Sequence, residues 1–227
     1  MLLHREMDGD LLGGLLNQPA SHLRSEAFES LIELNEQCLE LLAEQSLASA
    51  SQGSLLLRQV GDIWRTLDGE ARLRAAACPY LLVDVGFSDP NRWRCMGAPY
   101  IGDTMRASYG AFFTVSRALT VARQVFIYAW HLARSKDITA QLLLGMPTPC
   151  MQLISACTLP QIHGLAERHP DWLRPRWPHR VKVWRELLLA AASGEVVALE
   201  NARMHGLQLL AAECRSASLQ ILKGGGV

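Results

Sequence analysis

The sequence predicts an all-α protein: a multi-helix bundle around one central buried helix, with a short irregular or extended segment near 79–104. Three observations carry this reading. Apolar residues recur at three- and four-residue spacing through most of the chain. Helix start and stop signals punctuate it at short intervals. Strand-like character is confined to the few residues around YLLVDV at 80–85.

The 227 residues suffice for a substantial core, and a single helical domain over 1–227 is expected, with a possible division into 20–104 and 105–222. Twenty-two basic and twenty-two acidic residues cancel, so no global field favours nucleic acid or an anionic membrane. The charges are nevertheless segregated. Glu26, Glu29, Glu33, Glu36, Glu40 and Glu44 form one block, whereas Arg168, Arg174, Arg176, Arg180, Lys182 and Arg185 form another. The two blocks could attract each other or face different partners.

Taken in order, residues 1–20 combine leucine pairs with Gly9, Gly13, Gly14 and Pro19, which weaken a helix and suggest an arm that is frayed or docked. Ser25 can cap the next segment, where Phe28, Leu31, Ile32, Leu39 and Leu42 make an apolar stripe opposite the glutamates. After a Ser/Ala/Gly loop, Leu56, Val60, Ile63, Trp64 and Leu67 line one helical face, and GEARLRAAA continues as a short helix. Residues 79–104 then contain glycines and prolines that forbid regular helix, with one short strand expected at Tyr80 to Val85. Asp84, Asp89 and Asp103 in this segment are read as turn formers.

The centre is expected from Tyr109 to Ala133, apolar on nearly every side through Phe112, Val115, Leu119, Ala122, Phe126, Ala129, Ile127, Tyr128 and Trp130. Arg117, Arg123, His131 and Arg134 interrupt it too often for a membrane span, which needs roughly 20 nearly uncharged residues. His131 is read as a buried polar anchor. Three short helices follow. Asp137 caps Ile138 to Leu144, which Gly145 ends; Thr148 caps Cys150 to Ala156; Thr158 caps Leu159 to Arg168. Pro170, Pro175 and Pro178 then hold Trp172 and Trp177 among arginines, like chain wrapped onto a core. Helices resume over Val181 to Ala192 and Val197 to Ile221, with KGGGV a disordered tail. About eight or nine helices are expected in all.

The run LLLGMPTPCMQLISACTLPQIHGLAE resembles the corresponding stretch of FlhD, a subunit of the bacterial flagellar master transcription activator. The likeness lies in Leu144-Gly145 followed by an apolar residue, then Thr158-Leu159-Pro160-Gln161 and Leu165-Ala166-Glu167, within about 137–167. It implies a FlhD-like helical part, a dimer, a second protein subunit, and a regulatory or assembly role. Leu144, Gly145, Met146, Leu159, Pro160 and Gln161 are the partner-binding candidates it implies. Read from the residues, helix, Gly-containing turn and helix suit a helix-turn-helix, yet CMQLISA has no basic side chain to hold phosphate.

No catalytic motif, Gly-rich phosphate loop or metal-ligand spacing is read in the chain, and no cofactor is implied. Cys38, Cys78, Cys95, Cys150, Cys157 and Cys214 form no CxxC pair, and no secretory signal precedes them; they are expected as buried, reduced thiols of a cytoplasmic protein. The leading expectation is a non-enzymatic regulatory or assembly protein acting through protein–protein contacts, a homo-oligomer without membrane attachment. The alternative is direct nucleic-acid binding through 168–185, with Arg174, Arg176, Arg180 and Lys182 on phosphates and Trp177 stacking on bases. An enzyme of unrecognised type is the third choice.

Overall fold

A computed structural model describes residues 10–48, 54–64, 66–94, 111–114, 116–135 and 138–224 of the chain, with the backbone only at 10–25, 48 and 220–224. The fold is all-α. Ten α-helices and one two-residue strand pair occur among the described residues. The expectations on residues 1–9, Cys95, Asp103, Val115, Asp137 and the last three residues lie outside the described residues.

Helix α1 (Asp10–Ala48) runs through Gly13, Gly14 and Pro19, the residues expected to weaken a helix there. A local cost of about 1 kcal/mol for each Gly and about 3 for a Pro is a weak prior that context overrides over so long a helix. Its apolar stripe buries Leu31, Leu34, Cys38, Leu39, Leu41 and Leu42. Helix α2 (Leu55–Trp64) buries Leu56, Val60, Ile63 and Trp64, the face its spacing marks out. In α3 (Gly69–Ala76), Asp68 caps the N-terminus by accepting from the Ala71 N–H at 2.7 Å. Within the segment read as irregular, α4 (Pro90–Arg94) is a single short turn of helix. Asp89 starts it, its carboxylate accepting from the Asn91 N–H, and Pro90 takes the first position, where its missing N–H is harmless.

The central helix α5 (Ala118–Arg134) begins later than the apolar run suggests. Residues 111–114 are not helical, because the side chain of buried Gln45 on α1 accepts from the Thr114 N–H at 2.8 Å and diverts the backbone there. Phe113 is buried by this entry segment rather than by a helix. His131 is exposed, correcting its reading as a buried anchor; it lies on the solvent side with Thr120 and Gln124.

Three short helices follow as their punctuation demands: α6 (Thr139–Leu144), α7 (Thr148–Ser155) and α8 (Leu159–Arg168). Gly145 closes α6 in the left-handed region at φ 66°. Pro147, rather than Thr148, is the N-cap of α7. A full capping box starts α8, with Thr158 and Gln161 each satisfying the other's backbone N–H. Helix α9 (Val181–Ser193) ends at Gly194, again left-handed, and α10 (Val196–Gly224) follows, extending through Lys223 and Gly224, which the sequence places in a disordered tail.

Packing divides the molecule into two helical groups that share α1. Helix α5 lies against α6, α7 and α8, while α9 lies against α2, α3 and α10. Helix α9 is thus a second packing hub beside the central α5. Between them run β1 (Val83–Asp84) and β2 (Arg174–Pro175), antiparallel, with Val83 opposite Pro175 and Asp84 opposite Arg174.

Candidate functional site at the Arg176 crossing

Helices satisfy their own backbone groups, but the non-helical chain at 77–84 and 173–177 must find partners elsewhere. Two buried polar side chains supply them. Asn35, fully buried on α1, donates through Nδ2 to the carbonyls of Ala76 and Tyr80, both at 3.0 Å, and accepts from the Leu82 N–H at 2.8 Å. From the other side Arg176, 5 % exposed, donates to the carbonyls of Leu81 at 2.9 Å, Val83 at 3.4 Å and Leu144 at 3.0 Å. Its own backbone N–H donates to Leu82, and the Leu81 N–H donates to Leu143. One guanidinium therefore ties three chain segments together: 81–83, the end of α6, and the run between the prolines.

Trp177, next in the chain, sits at φ 51°, left-handed and unfavourable for a residue with a bulky side chain. Its ring is buried against Tyr80 at 5.6 Å between centroids, and its Nε1 donates to Glu213 of α10 at 2.6 Å. Trp184 reaches back from α9 to donate to the Arg176 carbonyl at 2.7 Å. The close approach of α10 is made possible by Gly206, where any side chain would collide with the Tyr80 hydroxyl.

Beside this crossing opens a cavity of about 300 Å³ with Asp84, Arg174, Arg176, His179, Arg180 and Glu213 on its wall. Arg176 presents Nη1 to the Glu213 carboxylate at 3.9 Å. Burial pushes the Glu213 carboxyl above the ordinary carboxylate range, against the opposing pull of Arg176 and the Trp177 N–H. Asp84 is engaged by its own turn, accepting from the Phe87 N–H at 3.1 Å. The Nε of Arg174 is shielded from solvent with no hydrogen-bond partner. Burial, then the nearby Arg174 cation, lowers the pKa of Arg92, whose guanidinium lies 5.1 Å from the Trp172 ring centroid.

The nucleic-acid candidates separate by depth. Arg176 and Trp177 are inside the fold, Arg174 is half-buried, and Arg180 and Lys182 are exposed, Lys182 lying 3.7 Å from Glu186 one turn along α9. The partner candidates separate likewise. Leu144, Gly145 and Met146 are buried, whereas Leu159, Pro160 and Gln161 are exposed, Gln161 being held in the capping box. Within the two charged blocks, Glu40 and Glu44 both bind Arg117, and Arg185 pairs with Asp62.

Glu213, His179 and Asn35 are the residues that pattern reading passes over. Glu213 reads as one more polar position on an amphipathic helix, and nothing local links it to a tryptophan 36 residues earlier. Burial raises the thiols of Cys38, Cys78 and Cys150, the last two to about 12, so they stay protonated at neutral pH and are poor nucleophiles. Cys214 is only half-buried, a departure from the expected burial. No group of three His, Cys, Asp or Glu side chains able to hold a metal occurs among the described residues, and no helix among them is long and apolar enough to cross a membrane. No family model, curated protein or solved structure matches the chain.

Proposed function

We propose that the chain is a non-enzymatic regulatory or assembly protein that works through protein–protein contacts, as a FlhD-like component, and that residues 138–167 present the contact surface. The observation that carries this reading is a division of aliphatic side chains within that run. Ala140, Leu144, Met146, Cys150, Ile154, Ile162 and Leu165 are buried and hold the three short helices on α5, while Ile138, Leu142 and Leu159 are 53 %, 56 % and 43 % exposed. Ile138 and Leu142 are one helical turn apart, joined by the Leu142 N–H to Ile138 carbonyl hydrogen bond at 3.0 Å, so they adjoin on one face. A rigid backing behind exposed aliphatics is how a contact surface is pre-organised.

Sedimentation of the full chain at tens of micromolar, a range where interfaces of about −8 kcal/mol assemble, tests it through self-association. A dimer that dissociates in the Ile138→Asp, Leu142→Asp variant, with helical circular dichroism retained, is expected. A wild-type monomer, or a dimer indifferent to both substitutions, counts against this surface.

The alternative reading, nucleic-acid binding through 168–185, draws less support. Arg176 is committed to three carbonyls and Trp177 is enclosed, leaving Arg180, Lys182 and half-buried Arg174 of the five candidates for phosphates.

A further inference from the structure

The cavity beside Arg176 has an excess of cationic groups and a rigid frame. Arg174 lies in β2, whose pairing with β1 fixes its backbone, Arg176 follows directly and is tied to 81–83 by its own N–H, and Arg180 stands at the exposed rim with His179. Against these three guanidinium groups stand two carboxylates, both already engaged: Asp84 by the Phe87 N–H and Glu213 by the Trp177 indole. Arg176 uses Nε and Nη2 on carbonyls, leaving Nη1 directed toward Glu213. Arg174, also on the cavity wall, adds a second cation there, its Nε shielded from solvent without an acceptor. A planar guanidinium fork matches carboxylate and phosphate oxygens in pairs, and 300 Å³ lies at the small end of ligand sites.

We infer that this cavity binds a small oxyanion-bearing ligand, carrying phosphate or carboxylate, whose charged group takes the position opposite Arg176 Nη1 now held by the Glu213 carboxylate. Glu213 acts as the resident anion that the ligand displaces. Because Arg176 also holds the Leu144 carbonyl, an occupied cavity bears directly on the turn between α6 and α7. The inference does not depend on self-association of the chain.

Calorimetric titration of the full chain with inorganic phosphate, and separately with malonate, at low ionic strength tests it and tells the two chemistries apart. Saturable binding of at least one is expected, weakened about tenfold or more by Arg180→Gln, since a charge-assisted bond is lost. Glu213→Gln, which removes the competing charge, is expected to tighten it several-fold, on the order of two to ten. Arg174→Gln serves as a second loss variant, with Arg180→Gln, at an exposed position, carrying the test should that protein not fold. Absence of saturable binding by either probe overturns the inference. Binding unchanged in Arg180→Gln, or weakened in Glu213→Gln, overturns it as well. Binding confined to duplex DNA, with a steep salt dependence, also overturns it and favours a polyanion surface.

Discussion

Arg117 and Arg176 perform opposite tasks with the same side chain. Arg117, about half exposed, meets the carboxylates of Glu40 and Glu44, each at 2.6 Å, and those partners, Glu40 first, raise its pKa. Arg176 has a carboxylate only at 3.9 Å, yet it sits inside the protein and serves three carbonyls. Short ion-pair distances would rank Arg117 higher. Physical chemistry ranks them the other way, because an exposed pair exchanges one solvated state for another, whereas carbonyls enclosed with a buried guanidinium lose a donor when it is removed. The difference teaches that in this fold polar side chains matter where chain that is not helical must be enclosed.

The largest effect is expected from Arg176→Met, which keeps much of the length and removes the donors. It leaves the Leu81, Val83 and Leu144 carbonyls without their partner, and buried acceptors left unsatisfied at about 1–3 kcal/mol each, partly offset by removing the buried charge, cost about 3–5 kcal/mol together. At about 2–4 °C per kcal/mol for a chain of this size, the melting temperature should fall by roughly 6–20 °C. A melting curve within a few degrees of wild type would show that water satisfies these carbonyls and would erase the contrast with Arg117.

A much smaller effect is expected from Arg117→Gln. Both glutamate partners remain solvated when the guanidinium is removed, so the change should be about 0–1 kcal/mol, screened further by salt. Melting in low and high salt is the measurement. Wild type and variant should differ slightly at low ionic strength and coincide at about 1 M salt, where the screening length is near 3 Å. A loss comparable with that of Arg176→Met would mean that Arg117 anchors the turn entering α5 rather than decorating it.

How much of this was legible follows the same division. The stripes that make α2 and α9, the left-handed glycines at 145 and 194, and the Thr158–Gln161 capping box depend on neighbours within a few residues, so the sequence displays them. The strand character near Tyr80 was visible too, though its partner at Arg174–Pro175 was not. Asn35 and Gln45 lie among glutamates on α1 and read as part of a wet face; only the tertiary fold reveals that each is buried and bonded to chain 41 to 69 residues away. The start of α5 lies later than the pattern implies for the same reason, since the apolar run continues through Phe113 while Gln45 holds the backbone out of helix. The candidate site suffered most. Its arginines were visible as a cluster, but their sorting into interior and rim, and the arrival of Glu213 from α10, are consequences of long-range packing.

The smallest effect sharpens the comparison because its sign, rather than its size, is diagnostic. Glu213 is half-exposed, and burial, the largest influence on it, raises its pKa despite Arg176 and the Trp177 N–H. A carboxyl whose folded pKa exceeds its unfolded value binds a proton more tightly in the native state. Its contribution is therefore fully present below the unfolded pKa and is lost as pH rises through the folded one. Subtracting the stability of Glu213→Gln from that of wild type isolates this contribution from the other titrating groups, and the difference should move against wild type between acid and neutral pH. At neutral pH the glutamine variant should be as stable as wild type or slightly more so, solvent screening keeping the gain under about 1 kcal/mol. A difference that instead moved in favour of wild type as pH rose would mean that attraction to Arg176 outweighs burial. Glu213 would then be a counter-ion held by Arg176 too firmly for a small anion to displace.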